Sequence, residues 1–254
     1  MKTIIPILII LGLAKWWFTD PSISVPTNDI SFDYIVKYSG NAGRSDPLPM
    51  IIALHGNGDT TKNFYETALD QINPRARIIL IEGPISHGRG SSWPWSGADF
   101  SQYGVAFKEA AELLAIEYPT IGKPLLLGYS GGGMMAYYQS VKHGDSYSYI
   151  FPISGQITEE HLGDNTVNSG AKVYAYHGKN DRVVSANAGR KAVDLLRLKN
   201  VRVKFVEFDG GHHGIFKEAK RDIFGSIGNT EGVGTQKGSG NTEGVSPRNL
   251  TRIS

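Results

Sequence analysis

The chain alternates between short apolar runs of strand type and longer stretches with helical spacing. Met50-Ile51-Ile52-Ala53-Leu54 is apolar without a break, the pattern of a strand covered on both faces. Residues 77–81, 125–127, 149–153 and 172–176 repeat that texture, and 201–206 closes the set. Residues 32–38 alternate instead and predict an early, half-exposed strand. Helices are predicted over 64–72, 102–117, 134–141 and 186–198. In the second of these, the apolar spacing runs through Val105, Phe107, Ala111, Leu114 and Ala115. Strands alternating with helices of this length predict an α/β fold, a mainly parallel central sheet with helices on both faces. Such sheets bind ligands beyond the carboxyl ends of their strands, so reactive residues are expected just after the strand runs.

The two ends depart from this rhythm. Met1 and Lys2 precede an apolar run over 4–14, the pattern of a secretory signal and too short for a membrane span of about 20 residues. Lys15-Trp16-Trp17-Phe18 follows without a small-x-small cleavage site. An uncleaved anchor with an interfacial aromatic cluster is therefore the alternative, and a buried structural segment the third reading. Residues 1–26 are expected to be a signal or anchor, making the protein secreted or periplasmic, or else membrane-anchored. Membrane contact is expected only if that segment is retained. Residues 27–227 form one domain of ordinary composition. Residues 228–254 are rich in Gly, Ser, Thr and Asn, with a near-repeat at 229–233 and 241–245, and are expected to be a disordered tail.

Composition removes several classes of function. With 40% hydrophobic residues the chain can build a sizeable core. The net charge of +2 decides nothing about nucleic acid, but no basic cluster of five or more residues appears, so the electrostatic footprint of a nucleic-acid partner is absent. The chain has no cysteine, which excludes disulfides, thiolate metal sites and a cysteine nucleophile.

Gly128-Tyr129-Ser130-Gly131-Gly132 fits G-x-S-x-G between a predicted strand and a predicted helix. A sharp turn in that context strains the serine backbone and exposes its hydroxyl, with a helix N-terminus beneath to favour negative charge. Ser130 is the candidate nucleophile, against the alternative of an ordinary serine in a Gly-rich turn. Leu54-His55-Gly56-Asn57-Gly58-Asp59 follows another strand. The backbone N–H groups of Gly131 and Asn57 are the candidate oxyanion donors; losing one such donor typically costs about 10²–10³ in rate. His55 is read as a structural residue of that loop.

Asp181 lies in His177-Gly178-Lys179-Asn180-Asp181-Arg182-Val183-Val184, after a strand, and His212 in Phe208-Asp209-Gly210-Gly211-His212-His213-Gly214, after the next. A serine needs an adjacent imidazole to take its proton, and the imidazole needs a carboxylate to set its tautomer. Asp181 is the candidate acid and His212 the candidate base. His213 is the alternative base, and Asp209 a lesser alternative acid better read as a turn residue. The paired histidines lack metal-ligand spacing, so no metal is expected there, and attack by a serine activated in this way needs no organic cofactor. Trp93 and Trp95 are candidates for a substrate pocket, with loop packing the equal alternative. Met134 is a third candidate, although core packing is its default role and that of Met135. Arg89 is read as solvated.

These four motifs, in order over most of residues 50–216, resemble the α/β-hydrolase superfamily. They are most similar to its small phospholipase/carboxylesterase branch, with acyl-protein thioesterases and dienelactone hydrolases as relatives. The resemblance implies a serine esterase acting on a small-molecule ester through an acyl-enzyme. Many members of that branch carry Gln where this chain has Gly131, and dienelactone hydrolases carry Cys where it has Ser130. Residues 156–170 are too short for a helical lid, which suits small or exposed esters. A lysophospholipase, a thioesterase or a feruloyl- or polyester-type esterase would use the same machinery. The reading from another class is a non-catalytic binding protein on a hydrolase fold.

Overall fold

The structure is a computed structural model that describes residues 23–27, 30–164, 166–213 and 216–235. Residues 1–22 and 236–254, with most of the expected signal segment and tail, lie outside the described residues. The strands are β1 (Ile23–Pro26), β2 (Ser31–Ser39), β3 (Met50–Leu54), β4 (Ala76–Ile81), a hairpin of β5 (Ile85–His87) and β6 (Gly90–Ser92), β7 (Leu125–Tyr129), β8 (Tyr149–Ile153), β9 (Lys172–Gly178) and β10 (Val203–Phe208). The helices are α1 (Thr61–Phe64), which continues as a π-helical turn Tyr65–Leu69, then α2 (Gly97–Glu117), α3 (Gly131–Lys142), α4 (Glu159–Leu162), α5 (Ala186–Leu198) and α6 (Phe216–Thr235).

Eight strands form one sheet in the order β1-β2-β4-β3-β7-β8-β9-β10. The pairs β1–β2 and β2–β4 are antiparallel and all the others parallel. All five residues of β3 are buried, and their side chains alternate between two cores. Met50, Ile52 and Leu54 join Phe107 of α2, Tyr137 of α3 and Leu196 of α5. Ile51 and Ala53 join Phe64 of α1 and Ala219, Ile223 and Ile227 of α6. Helices thus cover both faces, as the uninterrupted apolar runs require.

Strand register decides where the reactive loops meet. Leu54 pairs with Gly128, so the loops leaving β3 and β7 start side by side. Phe208 pairs with Gly178, which does the same for the loops leaving β9 and β10.

Several expectations change. Helix α2 begins at Gly97 behind the Ser96 cap, and its buried stripe is Phe100, Gly104, Phe107, Ala111 and Leu114. Val105 is therefore on the outer face, 52% exposed. Val201 belongs to the turn closing α5, where its N–H bonds the Leu196 carbonyl, and β10 starts later. Strand β1 lies inside the segment assigned to the signal, because buried Val25 pairs with buried Phe32 at the sheet edge. Helix α6 runs beyond Ile227 into the stretch expected as tail. Its Ala219, Ile223 and Ile227 are spaced to dock on the sheet, and docking propagates a helix that propensity alone would not hold. Among the described residues no helix is long and apolar enough to cross a membrane.

Candidate active site

Ser130 joins β7 to α3 with φ 53° and ψ −112°, a strained conformation for a residue with a side chain. The strain is held from three sides. The Ser130 N–H donates to the Ile153 carbonyl at 2.9 Å, its carbonyl accepts from Met134 N at 3.0 Å, and Gly132 N donates to the His55 carbonyl at 3.1 Å. Gly128 has to be glycine, since a Cβ there would overlap the Gly132 carbonyl. The turn leaves Ser130 Oγ over the N-terminus of α3.

His212 Nε2 lies 3.0 Å from Ser130 Oγ, and His212 Nδ1 lies 2.7 Å from Asp181 Oδ2. The other carboxylate oxygen, Oδ1, accepts the Val183 and Val184 N–H groups at 2.8 and 2.9 Å. Burial raises the Asp181 pKa, but the hydrogen bonds from His212, Val183 and Val184 outweigh it, and the group is held below the usual carboxylate value. Ser130, His212 and Asp181 thus form one hydrogen-bonded line across the carboxyl ends of β7, β10 and β9.

The geometry separates the alternatives. His213 is exposed and points its Nδ1 to the Tyr129 hydroxyl at 2.8 Å, away from Ser130. Asp209 is paired with Lys179 at 2.9 Å, its side chain 86% exposed. Tyr129, one residue before the serine, was not singled out by the sequence. Its hydroxyl donates to the His212 carbonyl at 3.0 Å, tying the loop that carries His212 to the serine turn. Burial and the Asp181 and Asp59 carboxylates push this hydroxyl up, so it stays a donor.

The loop after β3 is rigidly built. His55 is fully buried, with Nδ1 at 2.7 Å from the Gly56 carbonyl and Nε2 accepting from Gly83 N at 2.9 Å. Strand β6 is laced to the same loop, Gly58 N to the Ser91 carbonyl at 2.8 Å and Ser91 N to the Asp59 carbonyl at 2.9 Å. Among the described residues neither the Asn57 nor the Gly131 N–H has an assigned acceptor. The Asn57 side chain takes the Trp93 N–H at 3.0 Å and lies across Gly131, where a Cβ would overlap its Oδ1. In this chain the space beside position 131 is thus filled by Asn57.

The candidate pocket residues part company. Trp93 is fully buried, its Nε1–H donating to the His55 carbonyl at 2.9 Å and its ring edge-on to Phe107. It is a strut beneath the loop, the packing alternative, because the indole finds both an apolar bed and a carbonyl there. Trp95 is 60% exposed just before the Ser96 cap of α2, and Met134 is buried at 4% in the core. Met135 is fully buried, and Arg89 is exposed in the β5–β6 turn. A cavity of about 250 Å³ opens near the acid loop, lined by Gln156, Ile157, Thr158, Ser185, Asn187, Ala188 and Lys191. Among the described residues no group of three or more His, Asp or Glu is arranged to hold a metal ion.

Sheet order, strained serine turn and helix-covered faces define an α/β-hydrolase fold. Residues 119–230 match the family model described as phospholipase/carboxylesterase, and over that stretch the resemblance read from the sequence is borne out. Solved structures share the fold at low identity. The Mesorhizobium loti carboxylesterase is 18% identical over 75% of this chain and 92% of its own, with a TM-score of 0.63. The Bacillus cereus carboxylesterase is 14% identical over 79% and 94%, with a TM-score of 0.58. A single-substitution variant of SOBER1 from Arabidopsis thaliana is 18% identical over 72% and 99%, with a TM-score of 0.55. No curated protein matches the sequence.

Proposed function

We propose that the protein is a serine carboxylesterase for small or exposed esters, with Ser130 as nucleophile, His212 as base and Asp181 as acid. The unbroken line Ser130 Oγ, His212 Nε2, His212 Nδ1, Asp181 Oδ2 carries this reading. Ser130 Oγ attacks the ester carbonyl while its proton passes to His212 Nε2. The Asn57 and Gly131 N–H groups receive the oxyanion. The alcohol leaves with the proton from His212, and an acyl-enzyme remains. Water then attacks the acyl carbon, giving its proton to His212, and the carboxylic acid departs as Ser130 is restored.

The test is hydrolysis of p-nitrophenyl esters from acetate to palmitate by wild type and Ser130→Ala. Wild type is expected to cleave the short esters and Ser130→Ala to lose nearly all activity. A long-chain optimum would move the reading to a lysophospholipase or thioesterase. No Ser130-dependent cleavage, together with no labelling of Ser130 by a fluorophosphonate, would overturn the esterase and favour a binding protein.

A further inference from the structure

The reaction above makes no use of His177, one residue from the end of β9 and fully buried. Its Nε2 lies 2.9 Å from the Val184 carbonyl and 3.3 Å from Asp181 Oδ2, the oxygen that also receives His212. The side chains of His177 and Asp181 are wholly shielded from water. His177 Nδ1 is buried without a partner among the described residues. It faces Gly189 of α5, where a Cβ would overlap Nδ1.

These contacts assign the tautomer. A carbonyl only accepts, so Nε2 carries the hydrogen and Nδ1 is bare. A second proton, on Nδ1, would be buried with no acceptor among the described residues. That N–H on Nε2 donates to the Val184 carbonyl, which closes the loop holding Asp181, and Nε2 lies 3.3 Å from the carboxylate itself.

We propose that His177 is a positioning residue for the acid: its Nε2–H braces the acid loop through the Val184 carbonyl and sits 3.3 Å from Asp181 Oδ2, and Gly189 leaves the room its ring needs. The proposal rests on the esterase reading for its consequence in catalysis. The brace offsets part of the Asp181 charge. Without it the carboxylate holds a proton on His212 more strongly, and His212 loses that proton at higher pH. The groups facing His212 are Ser130, Asp181, the Tyr129 ring at 5.2 Å and the His213 ring at 5.4 Å. Asp59 acts on the Tyr129 hydroxyl. Of these groups, only Asp181 has an assigned contact with His177.

The experiment follows the His212 ring signals by NMR through a pH titration, in wild type, His177→Phe and His177→Gln, beside kcat/KM–pH profiles. In His177→Phe the His212 titration and the acid limb of kcat/KM are expected to move together to higher pH. The same variant is expected to lose kcat by about ten- to a hundredfold, as misplaced supporting groups do. Gln presents an amide N–H close to the position of Nε2 and is expected to restore both. Gly189→Ala changes no polar atom and improves helix propensity. It displaces the ring, so it is expected to move the His212 titration and lower kcat even if His177→Phe fails to fold. An unmoved His212 titration in whichever of these variants folds overturns the proposal, whatever happens to kcat. The titration needs no turnover, so it stays readable if Ser130→Ala shows the esterase reading itself to be wrong.

Discussion

Replacing Asp181 by Asn alters one atom of the acid and should invert the base. The Val183 and Val184 N–H groups donate to Oδ1 at 2.8 and 2.9 Å, so that position requires an oxygen. They therefore fix the orientation of the new carboxamide and place its NH₂ where Oδ2 now meets His212 Nδ1 at 2.7 Å. An NH₂ donates, so His212 must accept at Nδ1 and carry its hydrogen on Nε2. That nitrogen then faces Ser130 Oγ with a hydrogen in place of the lone pair that removes the serine proton. Packing and volume are conserved, so the loss falls on kcat with KM little changed. Loss through a wrong tautomer is about 10⁴-fold, or roughly 5 kcal/mol of barrier. The assay is kcat on p-nitrophenyl acetate, with the His212 tautomer read from its ¹⁵N shifts and folding checked by thermal melting. A folded Asp181→Asn within about tenfold of wild type would refute the reasoning. So would a hydrogen still on Nδ1.

Four further outcomes are expected. Asp209→Asn, at an exposed ion pair, should change stability by less than about 0.5 kcal/mol and leave kcat unchanged; a collapse of activity there would reverse the choice of acid. Trp93→Phe removes the Nε1–H bond to the His55 carbonyl and should cost about 1 kcal/mol in urea denaturation, with a lower kcat from a looser oxyanion loop. Gly131→Ala drives a methyl into Asn57 and should lower kcat about a hundredfold, with partial recovery in the double variant with Asn57→Gly, which keeps the backbone N–H. Asp181 has a folded pKa below its unfolded value. Its contribution is complete above the unfolded carboxylate value of about 3.9 and is lost as pH falls through the folded one, so the stability gap between wild type and Asp181→Asn should narrow below about pH 4 in urea melts.

The interior of the fold was legible because a strand covered on both faces writes an unbroken apolar run, as β3, β7 and β8 do throughout and β4 does from Ile78 on. What escaped notice is held by pairing or docking rather than by its own pattern. Strand β1 is short and exposed except at Val25. Helix α6 shows its docking residues only once Ala219, Ile223 and Ile227 are seen against the sheet, amid glycines and charges that read as tail. In α2 the run from Val105 to Ala115 misplaced the stripe by a fraction of a turn, because Gly104 is the buried position that lets Tyr138 of α3 approach.

The site divides along the same line. Ser130, Asp181 and His212 each follow a strand, and local context is enough to propose them. Choosing His212 over His213 takes the Tyr129 hydroxyl, which draws the second ring aside and binds the carbonyl of the first. No spacing within residues 208–214 encodes that choice; it depends on a tyrosine one position before the serine, on another strand. The same holds for Asn57 over Gly131 and for His177 against Asp181, where the signal is a pair and neither member is conspicuous alone. Register makes these pairs: Leu54 beside Gly128 brings Asn57 to Gly131, and Gly178 beside Phe208 brings Asp181 to His212. A slip of either strand pair would leave every motif in the sequence intact and separate the groups that have to meet. Register is set by which residues of β3, β7, β9 and β10 bury on which face. The apolar core is therefore part of the geometry of the candidate site.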